Sequence, residues 1–236
     1  MSAQNLAGQH VVVIGGTSGI GRAVVEHSLA AGARVTAAAR TTEGVSLPDG
    51  AALEGVDLTS GSSVESLFGR IGAFDHLVLS AGPGAMGTVR DLPAEAARPY
   101  MDTKFWGYYE AVRAAAGRIA PEGSITLVGG AASRKHAPGR PMMAAINAAL
   151  EAFGKANAVD LAPIRVNVIA PGLVDTPAYA GMPADMRQGI LDGYAASVPA
   201  GRAGLPEDVA SAALFLMANT FVTGAVLDVD GGAQVS

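Results

Sequence analysis

Short β-branched runs closed by glycine alternate along the chain with longer stretches whose apolar residues recur every three or four positions. Val11 to Ile14 is an unbroken apolar run ending in Gly15 and Gly16, the pattern of a parallel strand buried on both faces as it enters a tight turn. From Gly21 to Ala31 the residues Ala23, Val24, Leu29 and Ala30 share one helical face, and Gly32 stops the helix. Arg34 to Ala39 reads as a second strand, and a short strand is predicted around Leu53 to Asp57. A helix follows over Ser62 to Gly69, opened by serines suited to capping. His76 to Ser80 is the next apolar strand, broken by Ala81, Gly82, Pro83 and Gly84.

A long helix is predicted from Pro93 to Arg118 through Tyr100, Phe105, Tyr108 and Val112, divided or kinked at Pro99. Ser124 to Val128 is a strand ending in Gly129 and Gly130, followed by a polar loop through Arg140. Met142 to Leu161 is helical, Arg165 to Ala170 is a strand, and Pro171 with Gly172 ends it. A helix containing Met186, Ile190 and Leu191, a helix over Glu207 to Met217 and a strand over Ala225 to Val229 complete the chain. Seven strands alternating with about six helices, undivided by linker composition, predict one α/β domain over residues 1–236. Its architecture is a doubly wound Rossmann-like sandwich, with a mostly parallel seven-stranded sheet and helices on both faces. Residues 176–200 carry glycine and proline boundaries and read as a lid over a largely apolar pocket, or as a plain surface crossover.

Composition narrows the function classes. Sixteen basic and 21 acidic residues give a net charge of -5 without a basic block, so no nucleic-acid partner is expected. The chain has no cysteine, and its four histidines are scattered, so no metal site is predicted. No apolar run suits a signal peptide or a membrane span, and a cytoplasmic protein is expected.

The segment Gly15, Gly16, Thr17, Ser18, Gly19, Ile20, Gly21 lies between the first strand and the first helix. There, glycine lets backbone N–H groups approach a pyrophosphate at the positive end of a helix. Folds selective for NAD place an acid at the end of the second strand; here Ala39 stands there and Arg40 follows. A guanidinium suits the extra 2′-phosphate, so NADP(H) is favoured over NAD(H). Arg22 either reinforces that charge or faces water. Asp57 is a candidate for the adenine amine, or a plain helix-capping acid.

With the glycine turn, Asp57, Ser80-Ala81-Gly82, Arg165-Val166-Asn167, Pro171-Gly172, Thr176 and Val226 to Gly232 in this order, the chain resembles the short-chain dehydrogenase/reductase family along essentially its whole length. The resemblance implies coenzyme contacts from Gly15, Gly19, Gly21, Ala81 and Gly82, and a nicotinamide-side segment of Pro171, Gly172, Leu173, Val174 and Thr176. It also implies association into homodimers or homotetramers through the helices around Lys104 to Arg118 and Met143 to Leu161.

The family's reaction centre uses an asparagine, a serine, a tyrosine and, four residues after the tyrosine, a lysine. Those places fall here on Lys104, Gly130, Met143 and Asn147. A thioether exchanges no proton at neutral pH, whereas Asn147 can still hydrogen-bond a ribose hydroxyl. Two residues offer a replacement proton path: Lys104, if burial lowers its pKa, and His136 in the loop Ser133 to His136. Three functions remain open: an atypical NADP(H)-dependent oxidoreductase of a small apolar carbonyl or alcohol, a non-catalytic NADP(H)-binding regulator, and a structural subunit of a mixed oligomer.

Overall fold

Val11 and Val13 face one side of the sheet and Val12 and Ile14 the other, so the first strand is dry on both faces. The computed structural model describes residues 5–82 and 86–236; Pro83 and Gly84, read above as strand breakers, lie outside them. The strands are β1 (His10–Ile14), β2 (Arg34–Ala39), β3 (Ala51–Gly55), β4 (Phe74–Leu79), β5 (Ile119–Val128), β6 (Arg165–Pro171) and β7 (Val226–Val229). They form one sheet in the order β3-β2-β1-β4-β5-β6-β7, and every neighbouring pair is parallel.

The helices are α1 (Gly19–Ala30), α2 (Gly61–Ile71), α3 (Ala94–Met101), α4 (Gly107–Ala115), α5 (Pro141–Asp160), α6 (Ala184–Ser197) and α7 (Pro206–Ala218). Val64, Leu67 and Phe68 of α2, Tyr108 and Ala111 of α4 and Leu150 of α5 cover the face that carries Ile14, Leu79 and Leu127. Val24 and Val25 of α1 and Val209, Ala213 and Leu216 of α7 cover the face that carries Val13, Val78 and Ile169. Hydrophobic burial on both faces explains why these strands read as continuous apolar runs. Among the described residues no helix is long and apolar enough to cross a membrane.

Three of the differences from the sequence reading have a local structural cause. β3 lies two residues earlier, because its register is set by pairing with β2, where Val35 faces Ala51 and Ala39 faces Gly55. β5 begins at Ile119, before Pro121, where a register irregularity lets Ile119 pair with Phe74. The long helix is interrupted after Pro99 by a turn of π-helix at Asp102–Trp106. The Thr103 hydroxyl donates to the Pro99 carbonyl at 2.9 Å, so a side chain competes there with the regular backbone ladder.

Arg165 and Asn167 serve the scaffold. Arg165 donates to the carbonyls of Met217, in the last turn of α7, and of Asn219, just beyond it. Asn167 bonds the Val222 carbonyl and the Ala225 N–H at 2.9 and 3.1 Å, which fixes the entry to β7.

Candidate functional site

Strand order reverses between β1 and β4, which opens a crevice at their carboxyl ends where open α/β sheets bind ligands. Gly15 leaves β1 at φ +87°, and a Cβ there would lie 2.8 Å from the Ala81 nitrogen. A Cβ on Gly21 would lie 2.1 Å from the Gly15 carbonyl oxygen. Neither place admits a side chain, and the turn closes directly on the segment after β4. Ser18 is the N-cap of α1 but makes no side-chain capping bond, and no acid lies in the first turn. The positive end of α1 is therefore unopposed, as an anion site requires.

Thr176 lies opposite, with its Cγ2 3.4 Å from the Cβ position of Gly19. It precedes a short 3₁₀ turn, Pro177–Tyr179, and its hydroxyl makes no capping bond. Gly172 is enclosed by α6: a Cβ there would overlap the Tyr194 hydroxyl, which donates to the Asp230 carbonyl at 2.7 Å. Val174 forms a single bridge to Gly204. Thr17 and Ile20 stand half-buried on the glycine turn.

Arg40 is exposed just beyond β2, and its charge reaches Asp57. Asp57 accepts from the Thr59 N–H and hydroxyl at 2.9 and 2.8 Å. These bonds, and secondarily the Arg40 charge, hold its carboxyl below the usual range. The cap of α2 is Ser60, not Asp57. Arg22 is engaged with Glu26 and the Ser46 carbonyl.

At the places that correspond to the family's reaction centre, a Cβ on Gly130 would come within 2.7 Å of Asn147 Nδ2. The asparagine thus fills the room a side chain at residue 130 would need. Asn147 is buried at 3% exposure, and its carboxamide has no hydrogen-bond partner among the described residues. Met143 stands one turn earlier on the same face of α5, half-buried.

Lys104 enters from the π turn. Its stem packs against Gly82, and its Nζ donates to the Gly129 carbonyl at 3.0 Å. Although the residue keeps some exposure, burial pushes its pKa down to about 8. Tyr108, four residues on and fully buried, donates to the Ala81 carbonyl at 2.8 Å. Sequence reading took Tyr108 for an ordinary core aromatic; only the fold shows that it fixes the segment under Lys104.

His136 is exposed, with Nδ1 3.3 Å from the Ala132 carbonyl. Neighbouring Arg134 pairs with Asp228 and Glu151. The structure therefore brings Gly15, Gly19, Gly21, Ala81, Gly82 and Thr176 together, and Lys104 with Gly129. It holds His136 on the surface.

A glycine turn pressed against the neighbouring strand, an open helix end and a cation beyond β2 define a doubly wound protein of the dinucleotide-binding class. Residues 14–234 match the family model described as enoyl-(acyl carrier protein) reductase, and the chain belongs to the short-chain dehydrogenase/reductase family. It is 32% identical over 253 residues to short-chain dehydrogenase/reductase ATR9 of Stachybotrys chlorohalonatus, covering 97% of this chain and 98% of that protein. It is 30% identical over 243 residues to the 3-oxoacyl-acyl-carrier-protein reductase FabG of Escherichia coli, covering 97% and 98%. A solved small-chain dehydrogenase in complex with NADPH superposes with a TM-score of 0.89 at 41% identity, covering 97% of this chain and 99% of that one.

Proposed function

We propose that the protein is an NADP(H)-dependent oxidoreductase of a small carbonyl compound or alcohol, in which Lys104 takes over the proton handling done elsewhere in the family by tyrosine. The observation that carries this reading is the Lys104 ammonium, bound to the Gly129 carbonyl at 3.0 Å and lowered to about 8. Of the four reaction-centre positions it alone has an ionisable proton, since the others hold Gly130, Met143 and Asn147.

The coenzyme fits the residues present. Gly15, Thr17, Ser18, Gly19 and Ile20 would hold the pyrophosphate, Arg40 the 2′-phosphate and Asp57 the adenine. Ala81 and Gly82 would line its path, Asn147 would hold a ribose hydroxyl, and Pro171, Gly172, Val174 and Thr176 would flank the nicotinamide. NADP(H) is favoured over NAD(H) by Arg40 beside Ala39 and by the likeness to a protein solved with NADPH. A bound nicotinamide supplies hydride to a carbonyl carbon, or accepts it from an alcohol.

Lys104 gives a proton to the substrate oxygen in reduction and receives it in oxidation; its lowered pKa places both forms within reach of neutral pH. The Gly129 carbonyl occupies one of its three N–H donors and fixes its aim. Met143 contributes an apolar wall. His136 is the second candidate for the proton, less favoured because it sits exposed on its loop. Residues 176–200 act as the lid, held by Tyr194. Assembly into a homodimer or homotetramer through α4 and α5 is supported by exposed Trp106 and Tyr109, in edge contact with each other and with Phe105 and Phe153 nearby.

The absence of any hydroxyl at residues 130 and 143 favours a second reading, a regulator that binds NADP(H) without turning it over. Titration with NADPH and NADH, followed by NADPH oxidation across a carbonyl panel, separates the two. Turnover that is lost in Lys104→Ala and kept in His136→Ala supports the enzyme as described. NADPH binding without turnover on any carbonyl supports the regulator, and no binding of either coenzyme rejects both.

A further inference from the structure

Arg140 is the N-cap of α5. It immediately precedes Pro141, where α5 begins, and lies three residues before Met143, about 4.5 Å along the helix axis. The Gly87 N–H donates to the Gly139 carbonyl at 2.8 Å, so the loop that carries Arg140 is fastened to the segment beyond β4. Tyr194, whose hydroxyl lies over Gly172, and Tyr179 both feel the Arg140 charge. Burial raises both phenols, and in each the Arg140 charge opposes that rise.

Arg140 is half-buried, and its guanidinium has no hydrogen-bond or ion-pair partner among the described residues. Of the acids whose charge reaches the same two tyrosines, Asp175 pairs with Arg187 at 2.6 Å and the Asp230 carboxylate accepts from the Gly232 and Gln234 N–H groups at 2.9 and 3.1 Å. A cation drawn partly out of water with no anion is costly unless a ligand supplies one. Its planar fork matches a carboxylate, and one positive charge suits a monoanion better than a doubly charged phosphate.

We propose that Arg140 receives a carboxylate carried by the substrate, so that the protein acts on oxo acids and hydroxy acids. This inference rests on the oxidoreductase reading and adds a second cation, at Arg140, to the largely apolar pocket. Tyr179, whose hydroxyl makes no hydrogen bond among the described residues, is placed to add a neutral donor.

The test compares 3-oxobutanoate and 4-oxopentanoate with their methyl esters, titrated calorimetrically into coenzyme-free protein and into protein loaded with NADP+. In the wild type each acid is expected to bind about tenfold to a hundredfold more tightly than its ester. Arg140→Ala is expected to abolish the difference and Arg140→Lys to keep part of it, with NADPH affinity unchanged in both, which shows that the variants are folded. Equal affinity for acid and ester in the wild type, or an undiminished difference in Arg140→Ala, overturns the proposal. Failure to bind NADPH would instead remove the oxidoreductase reading, while titration of the coenzyme-free protein still decides the role of Arg140.

Discussion

Placing a methyl group on Gly130 tests whether Gly130 and Asn147 form one interlocked unit. Gly130 has φ 168°, extended backbone open to any residue, so the cost of Gly130→Ala is steric. The new Cβ would lie 2.7 Å from Asn147 Nδ2 and 3.4 Å from its Cγ, and Asn147 is buried on α5. Overpacking of this kind costs about 1–3 kcal/mol, while replacing glycine recovers about 0.4–1 kcal/mol through the unfolded chain. A net loss of about 1–2 kcal/mol is expected by urea unfolding, with the m-value unchanged. Asn147→Ala should relieve the clash, giving a double-mutant coupling of about 1–2 kcal/mol. Additive effects, or a neutral Gly130→Ala, would refute the claim that Asn147 occupies the space of a side chain at residue 130.

Arg40→Ala is expected to weaken NADPH binding about tenfold or more while NADH binding changes little; equal losses for the two coenzymes would remove the case for 2′-phosphate recognition. His76 bonds Ser124 and Gln9 and is pushed down from 6.5 to about 4, chiefly by burial and then by the Arg165 charge. Because the folded pKa is depressed, the unfolded chain takes up more protons below 6.5. His76 therefore costs no stability above that pH and roughly 3 kcal/mol once pH has fallen through about 4. Urea unfolding between pH 7 and 4 should show a flatter acid limb in His76→Gln; an unchanged limb contradicts this. Tyr194→Phe removes the 2.7 Å bond to the Asp230 carbonyl and should cost about 1 kcal/mol, with faster limited proteolysis within residues 176–200; unchanged proteolysis there would show that Tyr194 does not hold this segment.

The sheet was legible because parallel strands buried on both faces leave runs such as Val11–Ile14, and because Gly15 to Gly21 marks the turn that follows. β3 was misplaced because Ala51–Gly55 has no β-branched residue, and only pairing with β2 sets its register. The start of β5 was hidden by Pro121 and Gly123, which read as a turn. Pro99 announced a defect in the long helix. It did not announce that the resulting π turn presents Lys104 to the Gly129 carbonyl, since that depends on where the sheet lies. In the same way Gly130 and Asn147, 17 residues apart in the sequence, appear there as two separate losses. In space, one side chain fills the other's vacancy. Arg140 carried no sequence signal beyond a polar loop, because Tyr179 and Tyr194 approach it only through the crossover after β6.

The central claim is that Lys104 handles the proton at an NADP(H) site. Its most direct test is the pH dependence of kcat/KM for NADPH-driven carbonyl reduction, in the wild type and in Lys104→Met. Reduction needs the protonated amine, so the wild-type rate should fall as pH rises through about 8. In Lys104→Met that inflection should vanish and the rate should drop about a hundredfold or more, with NADPH affinity retained. A profile in Lys104→Met that keeps both its inflection and its height would contradict the account.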